Sequence, residues 1–229
     1  MEPVVHLQAA VSLLGRYPAL AGIDLDVAAG EIVVLHGPNG AGKTTILRLC
    51  AGLVSLASGT GVVLGHDLAT DRVAVRAEVG LLGHESFLYA DLTVEENVRF
   101  WALAAAATEA EAEAALGRLG LGGRLRSTPV ARLSAGQRRR VSLAAMLARR
   151  PRLWLLDEPH AGLDQAGRDD VDVLVREATE AGATVVLASH EVERVARLRP
   201  RRVAVAGGTV TADGSDPAPG EGSGARRAP

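Results

Sequence analysis

Apolar residues along this chain gather in short runs separated by polar, glycine-rich breaks. Glu31 to Leu35 reads as a strand, His36-Gly37-Pro38-Asn39-Gly40-Ala41-Gly42 as a loop, and Lys43 to Cys50 as a helix closing at Ala51-Gly52. Arg152 to Leu156 and Thr184 to Ala188 are two further strands, with a helical stretch around Gln165 to Glu180 between them. Apolar runs of this length, bounded by turns, suit strands buried on both faces. Strands alternating with helices predict an α/β fold built on a mostly parallel sheet. Such sheets carry their chemistry at the carboxyl ends of strands. Here the three strands lead into the glycine loop, into Asp157-Glu158 and towards His190.

The middle of the chain has a different rhythm. Thr93 and Thr108 are each followed three residues later by glutamate (Glu96, Glu111), the capping-box pattern that starts helices, and this predicts a helical insert over about 92–132. Phe100 and Trp101 read as the core of that insert. Phe87 and Tyr89 fall in a loop, where aromatic side chains signal a contact surface. From Asp213 to Pro229 the chain is Gly, Pro, Ser and charge with almost nothing to bury, which predicts a single domain over 1–212 and a disordered tail over 213–229.

Composition narrows the function. The 229 residues hold 25 Lys+Arg against 27 Asp+Glu, a net charge of −2 that does not suggest a nucleic-acid partner. No apolar run approaches the roughly 20 residues of a membrane-spanning helix, and Met1 to Val11 lacks the basic and apolar blocks of a secretory signal. Cys50 is the single cysteine, so no internal disulfide forms and a cytoplasmic address is expected. Lys43 is the single lysine among 24 arginines. A chain that uses arginine for every other cation keeps this lysine where a compact ammonium is required.

Lys43 lies in the pattern Gly37-x-x-x-x-Gly42-Lys43-Thr44, a phosphate-binding loop set between a strand and a helix. Its glycines let backbone N–H groups converge on phosphate oxygens at a helix start. Lys43 then reaches the β/γ-phosphates and the Thr44 hydroxyl a Mg²⁺ ion. Asp157-Glu158 follows an apolar strand and supplies one carboxylate for the metal and one to polarise water, since neighbouring residues of an extended chain point opposite ways. Leu133-Ser134-Ala135-Gly136-Gln137 comes shortly before it, Ser134 being 91 residues after Lys43. Ser134 and Gln137 also form a capping-box match.

These motifs in this order resemble the nucleotide-binding subunits of ATP-binding cassette (ABC) transporters, whose signature is Leu-Ser-Gly-Gly-Gln. The resemblance spans about Val4 to Val210. It implies an ABC-type P-loop ATPase fold with a mostly parallel core sheet, an N-terminal β subdomain and a helical insert. It further implies ATP and Mg²⁺ as cofactors. ATP would be held by Tyr17 stacking on adenine, by the loop Gly37, Pro38, Asn39, Gly40, Ala41, Gly42, Lys43, Thr44 and Thr45, and by Ser134, Gly136 and Gln137. In this pattern Thr44 and Asp157 hold the metal, Glu158 is the base, and His190 senses the γ-phosphate beside Lys43. Ala161-Gly162-Leu163-Asp164 matches the D-loop. The partners implied are a second copy, met head to tail through Ser134, Gly136 and Asp164 when ATP is bound, and a membrane permease at the cytoplasmic face. Where the family has a metal-contacting glutamine, Leu82-Gly83-His84-Glu85 places His84. That Gly-His, the Leu-Ser-Ala-Gly-Gln signature and the short chain resemble the haem-exporter ATPases of cytochrome c maturation. ATPases of drug, lipid or polysaccharide exporters, and non-transport cassette proteins, are the alternatives.

Overall fold

The computed structural model describes residues 2–84 and 86–215. Two sheets enclose one helix. β1 (Val5–Leu14), β2 (Tyr17–Val27), β4 (Ser58–Val63) and β5 (His66–Asp67) form an antiparallel sheet in the order β2-β1-β4-β5. β3 (Ile32–His36), β6 (Val79–Leu82), β7 (Leu153–Asp157), β8 (Thr184–Ala188), β9 (Arg201–Ala206) and β10 (Thr209–Ser215) form the second, in the order β10-β9-β3-β8-β7-β6. Every pairing in it is parallel except the β9–β10 hairpin.

The central strands are apolar throughout because each serves two cores. Val33, Leu35, Leu153, Leu155, Val186 and Ala188 face one cluster, and Val34, Trp154, Leu156, Val185 and Leu187 face the other. This is the period-two alternation of a strand covered on both sides. The first cluster is closed by the antiparallel sheet and by α1 (Lys43–Cys50), whose Ile46, Leu47, Leu49 and Cys50 are fully buried. The second is closed by α3 (Val94–Ala104), α4 (Glu109–Arg118), α5 (Ala135–Ala148) and α6 (Gln165–Glu180). Short α2 (Arg72–Glu78) precedes β6, and α7 (Val192–Val195) follows β8. Thr93, Thr108 and Ser134 each begin a helix with a complete capping box.

Three expectations need correction. β3 and β7 lie one residue further along than expected, at Ile32–His36 and Leu153–Asp157, because His36 pairs with Ala204 and Asp157 with Ala188. Asp213, Gly214 and Ser215 continue β10 against Val203, Arg202 and Arg201, and Asp213 pairs with the Arg201 guanidinium, so the folded chain passes the boundary set at 212. The rest of the expected tail, 216–229, lies outside the described residues, as does Glu85. Phe100 is not core. The inward face of α3 is Val94, Asn97, Val98 and Ala102, while Phe100 is 41% exposed and meets Tyr89 and Trp101 edge-on with centroids 4.8 and 5.4 Å apart.

Candidate nucleotide site

The loop after β3 is drawn tightly against β9. Gly37 has φ 145°, and a Cβ there would lie 2.0 Å from the Val205 carbonyl oxygen, so no side chain fits. The loop ends at Gly42, which starts α1 without any side-chain cap. The first-turn N–H groups of α1 are thus left without a side-chain acceptor, an arrangement that suits an anion. Lys43 folds back, its Nζ donating to the carbonyls of Gly37 at 2.8 Å and Pro38 at 3.0 Å.

The carboxyl ends of β7 and β8 meet this loop. Asp157, 7% exposed, accepts a 2.8 Å hydrogen bond from the Thr44 hydroxyl. Glu158 turns away from it: its N–H donates to the Ala188 carbonyl at 2.9 Å, and its Oε2 lies 2.9 Å from His190 Nδ1. The hydrogen bond and charge of Glu158 raise the His190 pKa, so the imidazole keeps its proton to higher pH than a free one. Glu158 holds φ 46°, a left-handed conformation that costs a side-chain-bearing residue about 1–2 kcal/mol. Strain of this kind persists only where neighbours enforce it.

A cleft of about 590 Å³ is lined by Asn39, Gly40, Ala41, Gly42, Lys43, Thr44, Thr45, His84, Asp157 and Glu158, whereas Gly37, Pro38 and His190 are not among its lining residues. Leu14, Pro18, Ala19, Gly207 and Gly208 complete the wall. The two glycines form the β9–β10 turn, a signal visible in the sequence but not assigned to the site. Tyr17 is 81% exposed and sits beside Pro18 at the cleft's edge without lining it. Thr44 and Asp157 offer hard oxygen donors side by side, the donor type that Mg²⁺ takes. Cys50 plays no part, since burial pushes its thiol up to about 12.

Ser134 and its neighbours lie elsewhere. Ser134, Gly136, Gln137 and Asp164 line a separate recess of about 460 Å³ with Ala135, Arg140, Gly162 and Leu163. The Ser134 hydroxyl accepts from the Gln137 N–H at 3.2 Å, and Asp164 caps α6 by accepting from Gly167 at 2.9 Å. No described residue lines both this recess and the phosphate cleft.

The ABC transporter family profile matches residues 20–161, more than half of the chain. The chain belongs to the ABC transporter family. A cytochrome c biogenesis ATP-binding export protein, CcmA, of Rhodopseudomonas palustris is 43% identical over 176 residues, which cover 77% of this chain and 86% of that protein. The daunorubicin resistance ATP-binding protein DrrA3 of Streptomyces coeruleorubidus is 37% identical, covering 93% of this chain and 69% of that one. Among solved structures, the ATP-binding subunit of an ABC transporter superposes with a TM-score of 0.85 at 28% identity, covering 93% of this chain and 90% of that one. A dimeric ATP-binding cassette in a post-hydrolysis state with ADP and Pi gives 0.84 at 25%, covering 92% and 98%. The chain is therefore an ABC ATPase, the ATP-binding subunit of a transporter. No helix among the described residues is long and apolar enough to cross a membrane.

Two features escaped the sequence reading. Asn97 is fully buried; it accepts from the Tyr89 N–H at 2.8 Å and donates to the carbonyls of Tyr89, Leu92 and Thr93, fixing the aromatic loop on α3. Arg139, second in a run of three arginines, turns inward beneath the tips of β6 and β7.

Proposed function

We propose that this ATPase drives haem export for cytochrome c maturation, working as an ATP-dependent head-to-tail homodimer on a separate permease at the cytoplasmic face of the membrane. The observation that carries this reading is the 43% identity to a cytochrome c biogenesis export ATPase over 86% of its length, repeated at 42% in the Paramagnetospirillum magneticum protein. The 37% identity to a daunorubicin resistance protein supports a second reading, a drug exporter.

In the mechanism, Lys43 exchanges its two carbonyl acceptors for β/γ-phosphate oxygens, a charge-assisted and stronger bond. The loop from Gly37 to Thr45 and the first turn of α1 cradle the phosphates, and Tyr17 stacks on adenine. Thr44 and Asp157 would hold Mg²⁺, with His84 on the same wall as a further contact. When bound, the ion neutralises charge on the phosphoryl oxygens. Glu158 orients the attacking water and draws its proton; His190 holds that carboxylate in place and senses the γ-phosphate. Ser134, Gly136, Gln137 and Asp164 lie apart from this cleft, so their contact with the nucleotide requires the partner copy, which supports the head-to-tail arrangement.

Permease docking falls to the aromatic groove. Phe87 and Tyr89 are about half exposed, and Phe87, Leu88, Trp101, Met146 and Arg149 line a pocket in which Arg149 lies 5.7 Å from the Trp101 ring centroid. Its apolar wall suits a short helix held by a few anchors. A strain lacking this chain tests the cargo. Loss of covalent haem from c-type cytochromes, with other haem proteins still loaded, supports haem export. Normal haem staining with a fall in resistance to a toxic compound selects the drug exporter.

A further inference from the structure

One guanidinium ties a helix to two loops of the ATPase. Arg139 stands on α5, the helix that begins after Ser134. Its Nη1 donates to the Gly83 carbonyl at 2.6 Å, next to His84. Its Nη2 donates to the carbonyls of Asp157 at 2.7 Å and Glu158 at 2.6 Å, and its Nε reaches that of Pro159 at 3.4 Å. All four acceptors are main-chain oxygens. Burial lowers the guanidinium pKa to about 10, against the opposing pull of the Asp157 and Glu158 charges, so the group is cationic at neutral pH.

The two oxygens on Nη2 belong to the peptide planes on either side of the Glu158 Cα. Fixing both planes fixes φ and ψ at that residue, and Glu158 is where the backbone takes its left-handed step at φ 46°. Released, the residue relaxes towards an ordinary conformation and its carboxylate leaves the direction of His190. A lysine at 139 puts one ammonium on a flexible stem and cannot span the same carbonyls as a rigid fork.

We propose that Arg139 is a positioning residue: by clamping the peptides around Glu158 it holds that carboxylate aimed into the nucleotide cleft, on the same guanidinium that holds Gly83 and α5. This rests on Glu158 being the group that orients water.

The test uses the full chain carrying Arg139→Lys or Arg139→Gln, each alone and combined with Glu158→Gln. ATP dissociation constants, KM, kcat and single-turnover rates are measured. For Arg139→Lys kcat should fall about 10- to 100-fold, the size expected when a catalytic group is misplaced by an ångström, with ATP affinity nearly unchanged. Arg139→Gln should fall further. In the Glu158→Gln background the same changes should lower the residual rate less than about twofold, because the aim of an absent carboxylate no longer matters. Equal losses in both backgrounds, or lost ATP binding in both Arg139 variants, would assign Arg139 to the fold alone and overturn the proposal. An inactive Glu158→Gln beside fully active Arg139 variants overturns it as well. A fully active Glu158→Gln instead removes the base assignment on which it rests.

Discussion

Replacing Gly37 with alanine tests whether the phosphate loop works because it lies flat on β9. The new Cβ would sit 2.0 Å from the Val205 carbonyl oxygen, and real Cβ contacts stay beyond 3.0 Å, so loop and strand must part by about 1 Å. β9 is hydrogen-bonded to β3 on one side and β10 on the other, which leaves the loop as the part that moves. The backbone at φ 145° adds a strain of about 1–3 kcal/mol. An ångström of misplacement costs on the order of 100-fold in a positioned site. Together these predict about 4–6 kcal/mol, or roughly 10³- to 10⁴-fold weaker ATP binding, at 1.4 kcal/mol per tenfold. Gly40→Ala is the control: φ is 77° and no atom lies within 4 Å of its Cβ, so only conformational strain of about 1–2 kcal/mol remains, at most about 30-fold. Titration with a fluorescent ATP analogue, and melting temperature without nucleotide, separate the two. Equal affinity in the two variants, or parental affinity in Gly37→Ala, would refute the close-approach argument.

Glu158→Gln should bind ATP normally, lose about 10²- to 10⁴-fold in turnover and elute as an ATP-bound dimer on size exclusion; a monomer with ATP saturating would contradict the head-to-tail arrangement. Phe87→Ala with Tyr89→Ala should retain most intrinsic ATPase yet fail to co-purify with the permease, and intact assembly and transport would remove the docking groove. His190 has its pKa raised by Glu158, so its stabilising contribution is fully present below about 6.5 and is lost as pH rises through the raised value. The melting-temperature gap between parent and His190→Gln should therefore narrow as pH rises above about 6.5, and a constant gap would rule out a titrating His190–Glu158 pair.

Local signals settle much of this protein. The phosphate loop, the buried strands before it and before Asp157, the capping boxes at Thr93, Thr108 and Ser134, and the helices Lys43–Cys50 and Gln165–Glu180 all depend on near neighbours in the chain: periodicity, glycine placement and caps. What lay beyond reach depends on pairings between distant segments. β10 runs on to Ser215 because β9 offers it a ladder and Arg201 offers Asp213 a partner, although its composition reads as tail. Phe100 faces outward because Val94, Asn97, Val98 and Ala102 take the inward face of α3, a choice set by α5 and α4 packing against it. Arg139 looks like one of three surface arginines until α5 is docked beneath the tips of β6 and β7, where four carbonyls need a donor. A sequence names the groups able to do chemistry. Which of them meet is decided by long-range packing, because contacts between residues tens of positions apart leave no periodic trace in the order of the residues.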